Sequence, residues 1–210
     1  MVHVPKTGGS SIVRCIEQAG IPTQNLGYSL RPVCDFKTFT NLEHLSVQRL
    51  LDRKVFTQEW YDSCFKFAFI RNPWDRLVSL FEYLQYRHGQ RRERESNQYL
   101  HSFDGFARKV VEKDCPYIKP LSRRTTDDWS QANPQMRWIE QGVDFIGRFE
   151  WLYKDWMILC NEIGLPHKEL PVVRKSKRRL PHYRDYYTPK LVELVGEFYH
   201  EDVDAWKYKF

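Results

Sequence analysis

The chain has no stretch approaching 18 consecutive apolar residues, and Met1 leads straight into the first motif rather than into an apolar leader. We therefore expect neither a signal peptide nor a membrane span; whether a natural chain extends upstream with an anchor is left open. Paired cysteine spacing is also missing. Cys15, Cys34, Cys64, Cys115 and Cys160 are scattered, with no CxxC and no zinc pattern. An odd, dispersed set is expected of reduced thiols in a soluble, cytoplasmic chain. There is no internal repeat, no low-complexity linker and no carboxylate cluster that has to be a metal site. Strong charge of one sign is absent too: 33 Lys and Arg against 27 Asp and Glu leave +6. That mild excess suits a partner carrying phosphate or sulfate and is modest for a nucleic-acid binder, whose motifs are also missing.

What is present supports a packed fold. Hydrophobic residues make up 41% and charged residues 29% of 210 positions, which excludes general disorder and suits a single domain over 1–210. Short apolar runs alternate with amphipathic segments. Val2 to Val4 reads as the end of a strand, and "SSIVRCIEQAG" as a helix stopped by Gly20. Residues 21–41 read as loop. "SVQRLLDR" and "TQEWYDS" read as short helices, the second capped by Thr57. "FKFAFI" (65–70) is continuous enough for a buried parallel strand. Pro73 then opens a long helix to about Arg87. A charged surface loop (88–98), a helix near 103–113 and an irregular stretch follow. "VDFIGRF" (143–149) is a further strand, and "EWLYKDWMILCNEIG" a helix ending at Gly164. "RKSKRR" (174–179) is a basic loop, and Thr188 with Pro189 opens the last helix. Such alternation argues for an α/β sheet with helices on both sides.

Two stretches carry chemistry. In "HVPKTGGSSI" (3–12), Lys6, Thr7, Gly8, Gly9, Ser10 and Ser11 sit where a strand passes into a helix. Successive N–H groups there can form a nest for an anion, the helix N-terminus adds favourable field, and the glycines permit close approach. The plain alternative is a capped helix with Lys6 solvated. A Walker A loop is excluded, because it places Lys after the glycines. In "FAFIRNPWDRLVSLF", Arg71 ends a strand and Ser79 follows inside the next helix. Ligands of open α/β sheets bind beyond the strands' carboxyl ends, where Arg71 can fork onto a phosphate and Ser79 can donate. The plain alternative pairs Arg71 with Asp75 to cap the helix.

Taken in order, "HVPKTGGSS" and "FAFIRNPWDRLVS" resemble the motifs of sulfotransferases that use 3′-phosphoadenosine 5′-phosphosulfate (PAPS), in particular the carbohydrate-type group. "VDFIGRFEWL" and the segment from "LPVVRKSKRR" to the C-terminal helix are similar to later parts of the same family, so the likeness covers nearly the whole chain. The resemblance implies a P-loop-like, three-layer α/β fold with a central, mainly parallel sheet flanked by helices. It implies sulfuryl transfer to an acceptor hydroxyl, expected on a carbohydrate or glycoconjugate, without a metal. The first motif would bind the 5′-phosphosulfate, and Arg71 with Ser79 the 3′-phosphate. Lys6 would stabilise the departing phosphate oxygen, as a loose transition state demands. The basic loop is similar to one that folds over the nucleotide, with Arg174, Ser176 and Lys177 as contacts and Arg178 a further candidate.

The acceptor proton needs a general base. In related carbohydrate sulfotransferases a His between the two donor motifs serves, and His44 stands in that segment here. Glu43 and Glu59 are the alternatives. His3 is expected to support the phosphate loop structurally, and the other histidines to be surface or packing residues. Two other classes stay open: a P-loop-type nucleotide or small-molecule kinase, which would need a Mg²⁺-holding Asp, and a nucleic-acid-binding module.

Overall fold

The apolar run before Arg71 becomes a strand, β1 (Phe67–Ile70), with all four residues buried. Because neighbouring side chains point to opposite faces, a strand buried throughout is covered on both sides. It pairs in parallel with β2 (Phe145–Arg148), Phe67 opposite Phe145 and Ile70 opposite Arg148. Ala68 also takes a parallel bridge from Val2, so β1 is the central member. The strand expected at Val2 to Val4 contracts to this bridge, and the runs expected at 65–70 and 143–149 shorten to four residues each. The architecture is thus a helix-rich α/β arrangement with a small parallel sheet.

This computed structural model describes residues 1–20, 46–88, 100–112, 131–167, 169–173 and 178–210. The loops expected at 21–41 and 88–98, and most of the irregular stretch after the helix near 103–113, lie outside these residues, apart from the backbone of His88. The chain divides into two compact units, Met1–Arg71 with Gln135–Lys175 and Asn72–Pro134 with Ser176–Phe210.

The first unit holds the sheet with α1 (Gly9–Gln18), α2 (Val47–Asp52), α3 (Gln58–Ser63), α6 (Met136–Ile139) and α7 (Leu152–Glu162). Ser46 and Thr57 cap α2 and α3 by accepting from the N–H of Arg49 and Trp60. The core joins Ile12 and Cys15 of α1, Phe67 and Phe69 of β1, and Trp156, Leu159 and Cys160 of α7. Burial pushes the Cys160 thiol's pKa up, with Cys15 adding to the effect, so this thiol stays protonated. Gly147 faces Phe69 across the sheet, and a β-carbon there would stand 2.3 Å from the phenyl ring. That ring is 2% exposed and packed within the core, so it has nowhere to move. Gly147→Ala is expected to destabilise the protein by about 1–3 kcal/mol, the usual cost of overpacking; a denaturant melt with an unchanged midpoint would contradict this.

Among its described residues the second unit is helical. It comprises α4 (Pro73–His88), α5 (Phe103–Val111), α8 (Pro189–Phe198) and α9 (His200–Trp206). Thr188 and Pro189 open α8 as expected, but the run does not continue as one helix: it breaks at Tyr199, buried with its hydroxyl on the Ala132 carbonyl at 2.6 Å. Phe81 meets Phe103 and Phe106 at ring separations of 5.4 Å, and Phe103 meets Tyr187 at 4.8 Å. Such tilted and edge-on pairs add to area burial. No helix among the described residues is long and apolar enough to cross a membrane.

Candidate active site

The loop from Pro5 into α1 is shaped by its backbone. Gly8 has φ 87° and is the N-cap of α1, with Gly9 as the first helical residue. A left-handed residue followed by a right-handed one turns successive N–H groups to one side, which is the geometry of an anion nest. The carbonyl of Gly8 accepts from Ser11 at 3.0 Å and from Ile12 at 3.4 Å. Gly9 and Ser10 are the first two helical residues, whose N–H groups have no acceptor within the helix. Among the described residues no side chain caps this end, so a bound anion has donors and the helix field available to it.

Each loop residue has an assigned place. Thr7 is 1% exposed, and its hydroxyl donates to the Val4 carbonyl at 2.8 Å. That hydroxyl closes the turn, and what Thr7 can offer an anion is its N–H. Ser10 and Ser11 are half-buried on the first turn of α1. Lys6 has φ 69°, a left-handed conformation uncommon for a residue with a β-carbon. Its carbonyl accepts from Nη1 of Arg71 at 3.0 Å, which ties the end of β1 to the loop. A β-carbon on Gly8 would lie 3.2 Å from Leu152 and 3.3 Å from Phe149, and one on Gly9 would lie 2.3 Å from Nε2 of His3. Gly9 thus admits the imidazole against the loop, in line with the supporting part expected of His3.

Arg71 is 5% exposed, and its guanidinium lies 3.9 Å from the centre of the Phe149 ring. Gln135 clamps its backbone at two points, accepting from the Arg71 N–H at 2.9 Å and donating to the Arg71 carbonyl at 2.8 Å. Neither Phe149 nor Gln135 was singled out from the sequence. Position alone could have found Phe149, which follows β2 directly where the two parallel strands end. Lys6, Thr7, Gly8, Gly9, Ser10, Ser11 and Arg71 therefore come together within the first unit, on the side of the sheet where its strands end.

Ser79 belongs to the second unit, 2% exposed on α4. The cap of α4 is Asn72, whose Oδ1 accepts from Trp74 at 3.1 Å and from Asp75 at 3.3 Å. Pro73, with no N–H to satisfy, fills the first helical position. Asp75 receives Arg178 in an ion pair. Arg76 donates to the carbonyls of Gln131 and Asn133, so its task is architectural.

His44 and Glu43 lie outside the described residues, as do Arg174, Ser176 and Lys177. Glu59 stands exposed in the first turn of α3. Its own N–H and the Thr57 hydroxyl hold its carboxyl below the ordinary carboxylate range, which makes it a weak base. Three other histidines carry out local tasks: His167 meets Oδ1 of Asn161 at 2.6 Å, His182 accepts from the Arg184 N–H at 3.2 Å, and His200 meets the Glu197 carbonyl at 3.0 Å. Among the described residues no group of three His, Cys, Asp or Glu side chains is placed to hold a metal ion.

A family model described as "Sulfotransferase family" matches residues 1–209. No curated protein and no solved structure matches the chain.

Proposed function

The chain belongs to the sulfotransferase family, and on that premise we propose that it moves the sulfuryl group of PAPS to an acceptor hydroxyl on a carbohydrate or glycoconjugate. The observation that carries this reading is the loop from Lys6 to Ser11. It offers a nest of N–H groups at a helix N-terminus, a lysine in a constrained conformation, and Arg71 fixed against the lysine's own carbonyl. Such a cradle fits a phosphate-linked anion. We read both units as parts of one sulfotransferase domain over 1–210, since the family match runs through both.

The donor supplies an activated sulfur–oxygen bond to its 5′-phosphate. The N–H groups of Gly8, Gly9 and Ser10 hold that phosphate, with the Ser10 and Ser11 hydroxyls beside them. Lys6 places its ammonium where negative charge grows as the bridging oxygen departs, so it acts most strongly in the transition state. Arg71 and Ser79 take the 3′-phosphate, an assignment that rests on the "RNPWDRLVS" motif. Arg174, Ser176 and Lys177 close over the nucleotide. His44 removes the acceptor proton as the acceptor oxygen takes the sulfuryl group, leaving 3′-phosphoadenosine 5′-phosphate (PAP) and the sulfate ester. Transfer of this kind depends on positioning and charge stabilisation, and no metal enters it.

The test is nucleotide selectivity. A charge-assisted contact contributes roughly 1.5–3 kcal/mol, so PAP is expected to bind about tenfold or more tighter than AMP by titration calorimetry. Equal affinities would sink the 3′-phosphate assignment. A thermal shift with ATP and Mg²⁺, or with an oligonucleotide, in place of one with PAP would favour the kinase or the nucleic-acid reading instead.

A further inference from the structure

The face of α4 that carries Ser79 also carries Asp75 one turn before it and Glu82 about one turn after it, since residues three and four apart share a face. Both carboxylates hold arginines from the end of the basic run. Arg178 donates through Nη2 to Oδ1 of Asp75. Arg179 donates through Nε to Oε1 of Glu82 at 3.2 Å, and the Tyr186 hydroxyl donates to the same oxygen at 2.7 Å. That phenol oxygen accepts from the N–H groups of Arg179 and Leu180, both at 3.0 Å.

The two pairs differ in kind. Glu82 and Tyr186 together grip the backbone at 179–180 and so fix where Arg178 is rooted. Asp75 reaches Arg178 at the far end of its side chain, which swings without moving the chain. Asp75 also has a second source of stabilisation, because it stands in the first turn of α4, where the helix field favours a carboxylate. Releasing Arg178 does not strand it. The side chains of the pair are only 22% and 12% exposed, so water screens them weakly. A phosphate on Ser79 would therefore find, one turn away on the same helix face, a guanidinium that attracts it and a carboxylate that repels it.

We propose that Asp75 and the 3′-phosphate of the donor nucleotide compete for Arg178. Asp75 holds the guanidinium while no nucleotide is bound and yields it to the phosphate. Asp75 thereby lowers the affinity for 3′-phosphorylated nucleotides and hastens release of PAP. This rests on the reading of Ser79 as a 3′-phosphate ligand.

Calorimetric titration of PAP and AMP onto the wild type, Asp75→Asn, Arg178→Gln and the double variant tests it. Asp75→Asn is expected to tighten PAP about threefold or more, the scale of a partly screened ion pair, and to leave AMP unchanged. Arg178→Gln is expected to weaken PAP, and in its background the gain from Asp75→Asn should shrink by more than half. Unchanged or weaker PAP binding by folded Asp75→Asn would overturn the proposal, as would a gain of equal size without Arg178. Asp75→Ser, which keeps an acceptor in the first turn, takes its place if the Asn variant melts early. A wild type that fails to tell PAP from AMP would remove the 3′-phosphate site itself. Clear selectivity with no gain from Asp75→Asn would remove only the competition.

Discussion

Lys6→Gly is expected to lower turnover at saturating donor by about 10²–10³-fold, the usual effect of deleting one preorganised charge or donor on a developing oxyanion, while the melting temperature stays close to that of the wild type. The stability half of this result follows from φ at Lys6, 69°. A β-carbon in the left-handed region costs roughly 1–2 kcal/mol, which glycine does not incur. Glycine in turn makes the unfolded chain more flexible, at about 0.4–1 kcal/mol. The two nearly cancel. Lys6→Ala keeps the strain and loses the ammonium, so it separates conformation from charge. If the ammonium acts in the transition state, the two variants lose turnover equally. Near-normal turnover in either would remove the Lys6 ammonium from the mechanism.

The second large effect is expected at His44. Removing a general base typically costs about 10²–10⁴-fold, so His44→Ala should nearly abolish turnover while PAP affinity stays within error of wild type. An imidazole accepts a proton only when neutral, and it titrates near pH ~6.5 in peptides. Wild-type activity should therefore rise with pH through roughly 6 to 7.5 and level off above. A carboxylate base would put that limb near pH ~4.3, and lower still for Glu59, whose carboxyl is held below its ordinary range by the α3 N-terminus and Thr57. Profiles of wild type, His44→Ala and Glu43→Gln decide between them. Substantial activity in His44→Ala with the same acidic limb would place the base elsewhere.

The features legible in the sequence are those with a local signature. Thr57 and Thr188 announce their helices because a cap hydroxyl must precede the first turn, and both accept the expected N–H. Within the run from 65 to 70, Phe67–Ile70 announces a buried strand because both its faces are covered. The run of lysine, glycines and hydroxyls from Lys6 to Ser11 announces the turn into α1, where Gly8 takes its left-handed conformation. What was not legible lies between distant positions. The Gln135 clamp on Arg71 spans 64 residues and uses one side chain against a backbone, a pairing with no periodicity to betray it. The contact of Asp75 with Arg178 spans 103 residues. From the sequence alone the partner offered for Asp75 is Arg71, four residues away, because proximity along the chain says nothing of an arginine 103 positions on. The division into two units was hidden for the same reason: each is assembled from segments that the other interrupts.

That interleaving bears on how the protein is made. In the first unit, Lys66 and Asp144 join across 78 positions, and in the second, Asn72 holds the carbonyl of Lys209 across 137. A ribosome adds about 5–20 residues per second, so β1 waits several seconds for its partner β2, and Asn72 longer for Lys209. Neither unit can close as it emerges, and neither can be finished before the final third of the chain has begun to emerge. Until then Phe67, Phe69 and Ile70 present an unpartnered strand edge, the kind of surface that holding chaperones bind and that aggregates capture. Slow synthesis, chaperone supply and low temperature should thus govern the yield of soluble protein more than the stability of the finished molecule does.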